Sequence, residues 1–392
     1  MNYPSFRLKD GGGTAAAAGP VDLPFLLLTL LLLGIGVVMV LSASFARAYY
    51  SSVSGHNPLY YFSRQLGFSL LGVLCMLAAS RVPVRFYEHT ALTIWLVSVA
   101  LLVLVLVAGE QANGARRWFR IGTRFQPSEI AKFGVILIDA KLICAARGRM
   151  RTFRFGVLPL AMVALIVIAL LVLEPHLSAS IIILLITAAM MFLGGVRLYW
   201  FLLGGGLAGA GLLFATTVLE YSSDRISAWL HPFADTTDTG YQIVQSLYAI
   251  GSGGLGGLGL GGSRQKYLYL PEEHNDFIFS VVCEELGFIG ATLILILFSL
   301  LIARGFYLTI HCRSRFGFLV CGGLTSLLAF QVLLNVAVVT NLVPCTGISL
   351  PFFSYGGTAL VLQLAEMGVI LSVSREIPEK SFFPERREEV LQ

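Results

Sequence analysis

Residues 23–42 read LPFLLLTLLLLGIGVVMVLS, twenty consecutive residues without a charged side chain. A helix of about 20 apolar residues is long enough to cross the hydrocarbon core of a bilayer. The stretch is too long for the apolar core of a signal peptide, and no small-residue cleavage site ends it cleanly. We therefore expect it to be retained as the first membrane span.

Comparable apolar stretches recur along the chain, separated by short polar or Gly/Pro-marked breaks. After the first, we expect spans at residues 62–79, 90–108, 127–145, 155–173, 177–193, 198–219, 277–302, 316–339 and 358–373. Helices are expected because they satisfy their own backbone groups in lipid. The sequence predicts an all-α polytopic membrane protein with about ten transmembrane helices, in which 1–22 and 375–392 are tails and 23–374 form one membrane domain.

The composition supports this fold class and excludes others. Hydrophobic residues make up 56% of the 392 residues and charged residues 12%, whereas soluble domains carry roughly 25% charged residues. This excludes a separate soluble domain, intrinsic disorder and a disulfide scaffold. The net charge of +5 is modest, so we expect no nucleic-acid partner. The six cysteines form no CxxC pair and are expected to be buried thiols.

The distribution of basic residues predicts the orientation of the chain. With the N-terminus inside, most Lys and Arg residues fall in cytoplasmic loops and tails, so both termini are expected to be cytoplasmic. Two basic groups then lie outside, where they oppose the rule and favour an anionic ligand; local pairing with acidic residues is the alternative. The first group is Arg116, Arg117, Arg120 and Arg124, and the second is Arg225, Arg264 and Lys266.

The longest break, residues 220–275, is expected to be an extracytoplasmic loop between helices seven and eight. The spacing of Ile243, Leu247 and Ile250 predicts a short helix at the membrane surface. The following GSGGLGGLGLGG, residues 251–262, formally contains GxGxxG, but no βαβ unit accommodates that motif here. We expect a flexible or closely packed backbone, with a phosphate-cradling loop as the alternative.

Three polar segments near the expected outer face are candidates for chemistry. LPEEHNDFIFSVVCEELG, residues 270–287, carries Asp276 at a helix start and Glu284 eight residues later, a spacing that could place both in one cleft. A helix cap is the alternative role for Asp276. The other segments are NGARRWFRIGTRFQPSEIAK, residues 113–132, with Arg116, Arg117, Glu129 and Lys132, and NLVPCTGISLPFFSYGGTALV, residues 341–361, with Ser354 and Tyr355. No histidine-rich or carboxylate cluster has metal-cage spacing.

Four blocks together carry a resemblance to a known family: GARRWFRIG…QPSEIAK, YQIVQSLYAIGSGGLGGLGLG, LPEEHNDFIFSVVCEELG and P-x-TGISLPFFSYGG. In order and spacing they resemble the SEDS family (shape, elongation, division and sporulation) of polytopic peptidoglycan glycosyltransferases. NVAVVTNLVP and GVILSVSR are more similar to the FtsW/SpoVE branch than to the RodA branch. The chain departs from the family at residues 174–178, EPHLS, where Q-P-D-x-G is usual, and at Asn341, where glycine is common.

The resemblance implies that the protein polymerises lipid II at the outer face of the bacterial cytoplasmic membrane, with Asp276 as the essential acidic residue. It also implies a class B penicillin-binding protein transpeptidase and other division or sporulation proteins as partners, with enrichment at the division septum. Asp276 would accept the proton of the attacking sugar hydroxyl. The departing pyrophosphate would be stabilised by Arg116, Arg117, Lys132, Arg264 and Lys266, or by a divalent cation such as Mg²⁺ or Mn²⁺. Glu129, Glu284, Ser354 and Tyr355 are the further expected substrate contacts.

Two functions of other classes are alternatives. A lipid II flippase or another transporter would also have about ten helices and intramembrane charges, although a carrier would place its ionisable groups near the midplane. A non-catalytic scaffold of the division machinery is the second alternative.

Overall fold

The computed structural model describes residues 19–112, 115–121, 123–206, 209, 229–234 and 240–377. Its principal helices are α1 (Leu23–Tyr50), α2 (Tyr60–Ala79), α3 (Val84–Ala108), α4 (Pro127–Ala146), α5 (Leu158–Leu173), α6 (Leu177–Leu193), α7 (Tyr241–Ser252), α8 (Ile278–Ile310), α9 (Arg315–Val339) and α10 (Gly357–Ser374). Seven of the described helical stretches are long and apolar enough to cross a membrane.

The predicted multi-spanning helical architecture is confirmed. Helices α1–α6 and α8–α10 lie at nine of the ten expected spans. The remaining span, 198–219, falls mostly outside the described residues, which are helical over 199–206. The expected tails, 1–22 and 375–392, are likewise described only at residues 19–22 and 375–377.

The two ends of the membrane domain lie at the same end of the bundle. Asp22, the N-cap of α1, accepts a hydrogen bond from Arg304 near the end of α8, with Nη2 and Oδ2 2.5 Å apart. The Asp22 amide donates to Ser374 Oγ at 3.1 Å, and the Gly19 amide donates to the Arg375 carbonyl at 3.0 Å. A chain with an even number of membrane spans must have its two ends on the same side of the membrane, and these contacts agree with that.

A small antiparallel sheet, which the sequence analysis did not predict, connects α3 to α4. Its strands are β1 (Glu110–Ala112), β2 (Ala115–Ile121) and β3 (Thr123–Phe125), in the order β1-β2-β3. Strand β2 contacts α3 and α4, and β3 contacts α10. Successive side chains of a strand point to opposite faces, so Arg116 and Arg117 face different surroundings.

Helix α8 is interrupted at Gly287, whose φ of 66° and ψ of −171° are not helical. The interruption exposes backbone groups that a continuous helix would pair internally. The carbonyls of Glu284 and Glu285 instead accept hydrogen bonds from the amides of Leu258 and Gly259, each at 3.0 Å. In return, the amides of Phe288 and Ile289 donate to the carbonyls of Gly254 and Leu255 at 2.9 and 3.1 Å.

The glycine-rich segment is therefore closely packed backbone. A Cβ on Gly253 would overlap the Cys283 carbonyl, and one on Gly257 would overlap the Glu285 carbonyl. Because carbonyls already occupy the amides of Leu258 and Gly259, these amides do not form a phosphate cradle. Glycines occur in this segment because its backbone approaches the interrupted part of α8 too closely for side chains.

Helix α7 is the short helix predicted before this segment, but its position differs from the expected one. Ile243, Val244, Ser246 and Ala249 are buried, and the helix packs against α8 and α9 instead of lying free on the membrane surface. Ser246 Oγ lies 2.7 Å from Ser280 Oγ and donates to a carbonyl of α9. These hydrogen bonds hold α7 against α8 and α9 within the bundle.

The chain between α9 and α10 folds back into the protein. Phe352 and Phe353 are fully buried, and both rings pack against Phe298 of α8. Gly36 of α1 permits this close approach, because a Cβ there would overlap the Phe352 carbonyl. The irregular backbone is thus covered by protein, as membrane burial requires.

Candidate active site

Asp276 lies in a non-helical segment, residues 271–277, immediately before α8. The N-cap of α8 is Phe277, and no side chain caps this end. Asp276 therefore does not have the capping role that was the alternative. Its position outside the helix also removes the basis for placing Asp276 and Glu284 on one helical face.

Hydrogen bonds fix the backbone on both sides of this aspartate. Asn335 of α9 donates through Nδ2 to the Asp276 carbonyl at 2.8 Å and to the Ile348 carbonyl at 2.7 Å. Ser354 Oγ donates to the Asn275 carbonyl at 2.9 Å, and the Tyr355 amide donates to the His274 carbonyl at 2.9 Å. Ser354 and Tyr355 thus position the segment that carries Asp276.

The residues just before Asp276 are anchored to α1 and α2. Glu273 is fully buried and forms a bidentate ion pair with Arg47 at 2.7 and 2.8 Å. Burial alone would raise the pKa of Glu273, but His274 and Arg47 together outweigh burial, so the pKa of Glu273 is below its usual value. The His274 ring packs on Tyr61 and Tyr355, with centroids 4.8 and 5.8 Å away.

The Asp276 carboxylate itself is partly buried and accepts no hydrogen bond from the described residues. Burial raises its pKa to about 6, and the negative charge of Glu272 adds to the shift, whereas His274 and Arg117 oppose it. Gly347 lies beside it, since a Cβ there would be 3.1 Å from Oδ2. Asp276 is thus a fixed carboxylate whose oxygens remain available.

Arg117 brings a positive charge from β2 to this site. Its Nε donates to the Glu174 carbonyl at 3.2 Å, and Nη2 donates to the Pro175 carbonyl. These bonds hold Arg117 against the turn between α5 and α6. From there its charge lowers the pKa of Asp276, although burial has the larger, opposite effect.

The turn that departs from Q-P-D-x-G lies beside Asp276. Ser178 Oγ donates to the Thr346 carbonyl, next to Gly347. Burial raises the pKa of Glu174 to about 8, opposed by Arg117. Burial lowers the pKa of His176 to about 3, and the charges of Arg117 and Lys132 lower it further. At neutral pH His176 in this turn therefore presents an uncharged imidazole.

Glu129 and Lys132 form an ion pair of 2.7 Å at the start of α4, and Lys132 is 3% exposed. Lys132 is near His176, whose pKa it lowers. Its ammonium is therefore already paired with a carboxylate.

The other predicted substrate contacts lie in different surroundings. Lys266 forms a buried ion pair with Glu285 at 2.8 Å and also donates to Ser42 Oγ at 3.2 Å. Glu284 is fully buried and accepts hydrogen bonds from the side chains of Ser252 and Ser263 and the amides of Arg264 and Gln265. The side chains of Arg116 and Arg264 are exposed. These four residues do not converge on Asp276.

Asn335 and Gly347 were absent from the sequence-based set of candidates. Asn335 sits within an apolar run and is fully buried, so its role depends on backbone carbonyls brought in from two other segments. Gly347 belongs to the quoted TGISLPFFSYGG block, and its φ of 71° favours glycine. A polar residue inside a predicted span was the only signal for Asn335.

Fold and site together define a polytopic membrane protein with a cluster of charged residues around Asp276 at one end of its helical bundle. The chain belongs to the FtsW/RodA/SpoVE family, because the family model described as "Cell cycle protein" matches residues 23–379. It is 39% identical over 357 residues to stage V sporulation protein E of Bacillus subtilis, covering 90% of this chain and 97% of the relative. It is 40% identical over 360 residues to the probable peptidoglycan glycosyltransferase FtsW of Geobacter sulfurreducens, covering 91% and 95%.

Solved structures support the same family. A chain of a peptidoglycan synthase complex, described for its coordination of polymerization and crosslinking, superposes with a TM-score of 0.74 and is 32% identical, covering 91% of this chain and 98% of that one. The rod shape determining protein RodA of Thermus thermophilus superposes with a TM-score of 0.66 at 31% identity, covering 92% and 98%.

Proposed function

We propose that this protein is a peptidoglycan glycosyltransferase that polymerises lipid II at the outer face of the cytoplasmic membrane, with Asp276 as general base. The observation that carries the proposal is the Asp276 carboxylate, whose backbone is fixed by Asn335 and Ser354 while its oxygens accept no hydrogen bond from the described residues. The similarity to relatives named as peptidoglycan glycosyltransferases supports the reaction class.

Glycan elongation joins the 4-hydroxyl of an acceptor sugar to the anomeric carbon of a lipid-linked donor. Asp276 accepts the hydroxyl proton as the new C–O bond forms and the bond to the pyrophosphate breaks. A pKa of about 6 keeps most of this carboxylate ionised at neutral pH while leaving it more basic than an exposed aspartate. A single displacement of this kind inverts the anomeric configuration.

The leaving pyrophosphate requires positive charge instead of a proton. Arg117 and His274 both act on Asp276 through their charges, and the planar guanidinium of Arg117 suits phosphate oxygens. Arg117 therefore replaces the broader set of cations suggested by the sequence as the principal protein group at this position.

A divalent cation fits the site only together with substrate. Within the described residues, no group of three or more His, Cys, Asp or Glu side chains is arranged to hold a metal ion. Asp276 and Glu272 offer two carboxylates, and Mg²⁺ is commonly held by one or two carboxylates with substrate phosphates and water. Such an ion would supply further positive charge to the pyrophosphate.

The proposed assembly includes a class B penicillin-binding protein transpeptidase and other division or sporulation proteins at the septum. The similarity to a chain of a peptidoglycan synthase complex supports a synthase partner. The similarity to the FtsW and stage V sporulation relatives supports division or sporulation as the setting.

Purified protein incubated with lipid II, alone and with its partner transpeptidase, tests this function. The wild-type protein should form glycan polymer, and Asp276→Asn should reduce the rate about 10²- to 10⁴-fold while the protein stays folded. The amide retains the size of the carboxylate but cannot act as base. Near-wild-type polymerisation by Asp276→Asn would refute the assigned base. Transfer of labelled lipid II between leaflets without polymer would favour a flippase, and neither activity would favour a scaffold.

A further inference from the structure

The glycine-rich loop, residues 253–262, exposes an unusual set of apolar side chains. Leu255 is 73% exposed, Leu258 40% and Leu260 61%. The backbone of the loop packs against α8, but the side chains of these three leucines are not covered by other described parts of the chain. In water, such a cluster would be unfavourable by the ordinary hydrophobic effect.

The depth of this loop follows from α8. Charged side chains are costly inside hydrocarbon, so we assign the level of the Arg304–Asp22 ion pair to the boundary of the hydrocarbon core at the end of the bundle that holds both termini. A core about 30 Å thick corresponds to about 20 helical residues at a rise of about 1.5 Å each. Counting back from Arg304 places the opposite boundary near Glu284.

Helix α1, which starts beside the same Asp22–Arg304 ion pair, gives a matching level at the other end of the bundle. About 20 residues from its start at Leu23 lead to Ser42, near the opposite boundary. Ser42 Oγ lies 2.7 Å from both carboxylate oxygens of Glu285, one residue from the position derived from α8. Two helices thus place residues 284–289 at the edge of the hydrocarbon core on the Asp276 side.

The loop is bonded to α8 at this level. Gly254 and Leu255 accept from Phe288 and Ile289, and Leu258 and Gly259 donate to the two glutamate carbonyls. These bonds satisfy backbone groups that would otherwise be unpaired in lipid. The loop can therefore enter the membrane edge without the penalty that excludes ordinary loops.

The exposed side chains of the loop continue the lipid-facing surface of α8. Directly after the interruption, Phe288 is 65% exposed, Ile289 58% and Leu293 56%. Leu255 is joined to Ile289 by a backbone hydrogen bond, so the two apolar surfaces adjoin.

We infer that the glycine-rich loop inserts into the acyl-chain region of the leaflet on the Asp276 side, where Leu255, Leu258 and Leu260 contact lipid. The ligand of this surface is the acyl chain of a bilayer lipid. The inference is independent of the proposed glycosyltransferase activity, since it depends only on burial, hydrogen bonding and depth.

Spin labels on single cysteines test the inference in the full-length protein, with the native cysteines replaced and the protein reconstituted in phosphatidylcholine/phosphatidylglycerol vesicles. Leu255→Cys and Leu260→Cys are the test sites. Leu293→Cys on α8 is the lipid control, and Val53→Cys, 78% exposed in the turn after α1, is the water control. Each label is measured for collisions with oxygen and with a polar nickel chelate.

The two loop labels should match Leu293→Cys, with a ratio of oxygen to nickel collisions about tenfold above that of Val53→Cys, because a polar chelate is excluded from hydrocarbon. A loop label with the ratio of Val53→Cys would show that the loop lies in water and would overturn the inference. Protection from both reagents would mean that another protein copy covers the loop, which would also overturn it. The Leu293→Cys label reports in the same preparation whether the bundle is correctly inserted.

Discussion

The segment around Asp276 and the network around Glu284 and Glu285 belong to one stretch of sequence, yet they use their carboxylates differently. Glu284 accepts hydrogen bonds from two serine hydroxyls and two amides, and Glu285 is paired with Lys266 and Ser42. Asp276 accepts none from the described residues, although its backbone is held from two sides.

The difference separates a structural carboxylate from one available for chemistry. A buried carboxylate with every oxygen bonded holds its neighbours in place, and removing it leaves those neighbours unsatisfied. A carboxylate whose own position is fixed by other groups can bind and release a proton without disturbing the fold. Hydrogen-bond saturation, more than burial or proximity in sequence, distinguishes the two regions.

The largest stability effect is expected in the structural region. Glu285→Gln should lower the free energy of unfolding by about 3–5 kcal/mol, because it leaves the buried Lys266 ammonium without its anionic partner. Thermal unfolding of the purified protein in detergent measures this. Glu110→Gln is the control, since the ion pairs that Glu110 forms with described residues involve exposed arginines at 3.9 Å and such pairs contribute about 0–1 kcal/mol. Equal unfolding temperatures for the two variants would contradict the structural role of Glu285.

Arg116 and Arg117 are adjacent in sequence, but only Arg117 lies at the candidate site, whereas Arg116 is exposed. Arg117→Gln should lower kcat/KM for lipid II about ten- to hundredfold, because one charge-assisted contact to the pyrophosphate is worth about 1.5–3 kcal/mol. Arg116→Gln should have little effect, since Arg116 is exposed and its nearest described acceptor is the Leu106 carbonyl at 3.5 Å. Steady-state polymerisation assays compare them, and equal losses would mean that the two arginines act only through general charge.

Gly347 tests how sharply the Asp276 carboxylate is placed. Gly347→Ala introduces a Cβ 3.1 Å from Oδ2, and displacement by a few tenths of an ångström should reduce kcat up to about tenfold. Gly55→Ala is the matched control, because Gly55 has a similar φ of 62° but nothing within 4 Å of its added Cβ. Both variants should lose about 1–2 kcal/mol of stability from left-handed strain. A normal kcat for Gly347→Ala would show that the site tolerates movement of the carboxylate.

The smallest expected change is a shift of the pH profile. Asp276 acts as base only when ionised, so kcat/KM should fall as the pH drops through about 6. Glu272→Gln should move this acidic limb to lower pH, because the negative charge of Glu272 raises the pKa of Asp276. Glu88→Gln, near the start of α3, serves as the control and should leave the limb in place. An acidic limb at the same pH in Glu272→Gln would show that the charge of Glu272 does not affect the pKa of Asp276.

The helices could be predicted from the sequence because lipid leaves the backbone few choices. An apolar run without charge must form a helix to satisfy its own amides and carbonyls, so α6 has the predicted bounds and α9 differs by one residue. The same reasoning explains why the irregular segment containing Ser354 and Tyr355 packs on protein.

The interruption of α8 could not be predicted in the same way. Residues 277–302 read as one apolar run, and the break at Gly287 depends on amides supplied by a loop about 30 residues earlier. The expected role of Lys266 in binding the pyrophosphate was uncertain for the same reason, because the sequence did not show how the loop meets α8. Its positive charge was visible in the sequence, but its pairing with Glu285 arises only when the loop and helix meet.

The sequence supplied Asp276 as a candidate, both as an acidic residue near the expected outer face and through the family resemblance, but it did not supply the groups that support this residue. The separation of Arg117 from Arg116 required knowledge of strand β2, which the sequence pattern did not reveal. The departures in residues 174–178 were visible, but only the bonds to Arg117 and Thr346 place them beside Asp276.

The interruption at Gly287 also has a consequence for how the chain assembles. The glycine-rich loop leaves the ribosome before α8 does, and the amides of Leu258 and Gly259 have no α8 carbonyls to pair with until that helix arrives. Loop and helix break must then form together, since each supplies the missing hydrogen-bond partners of the other. In hydrogen-exchange terms they constitute one cooperative unit, so the amides of Leu258, Gly259, Phe288 and Ile289 should open and close together.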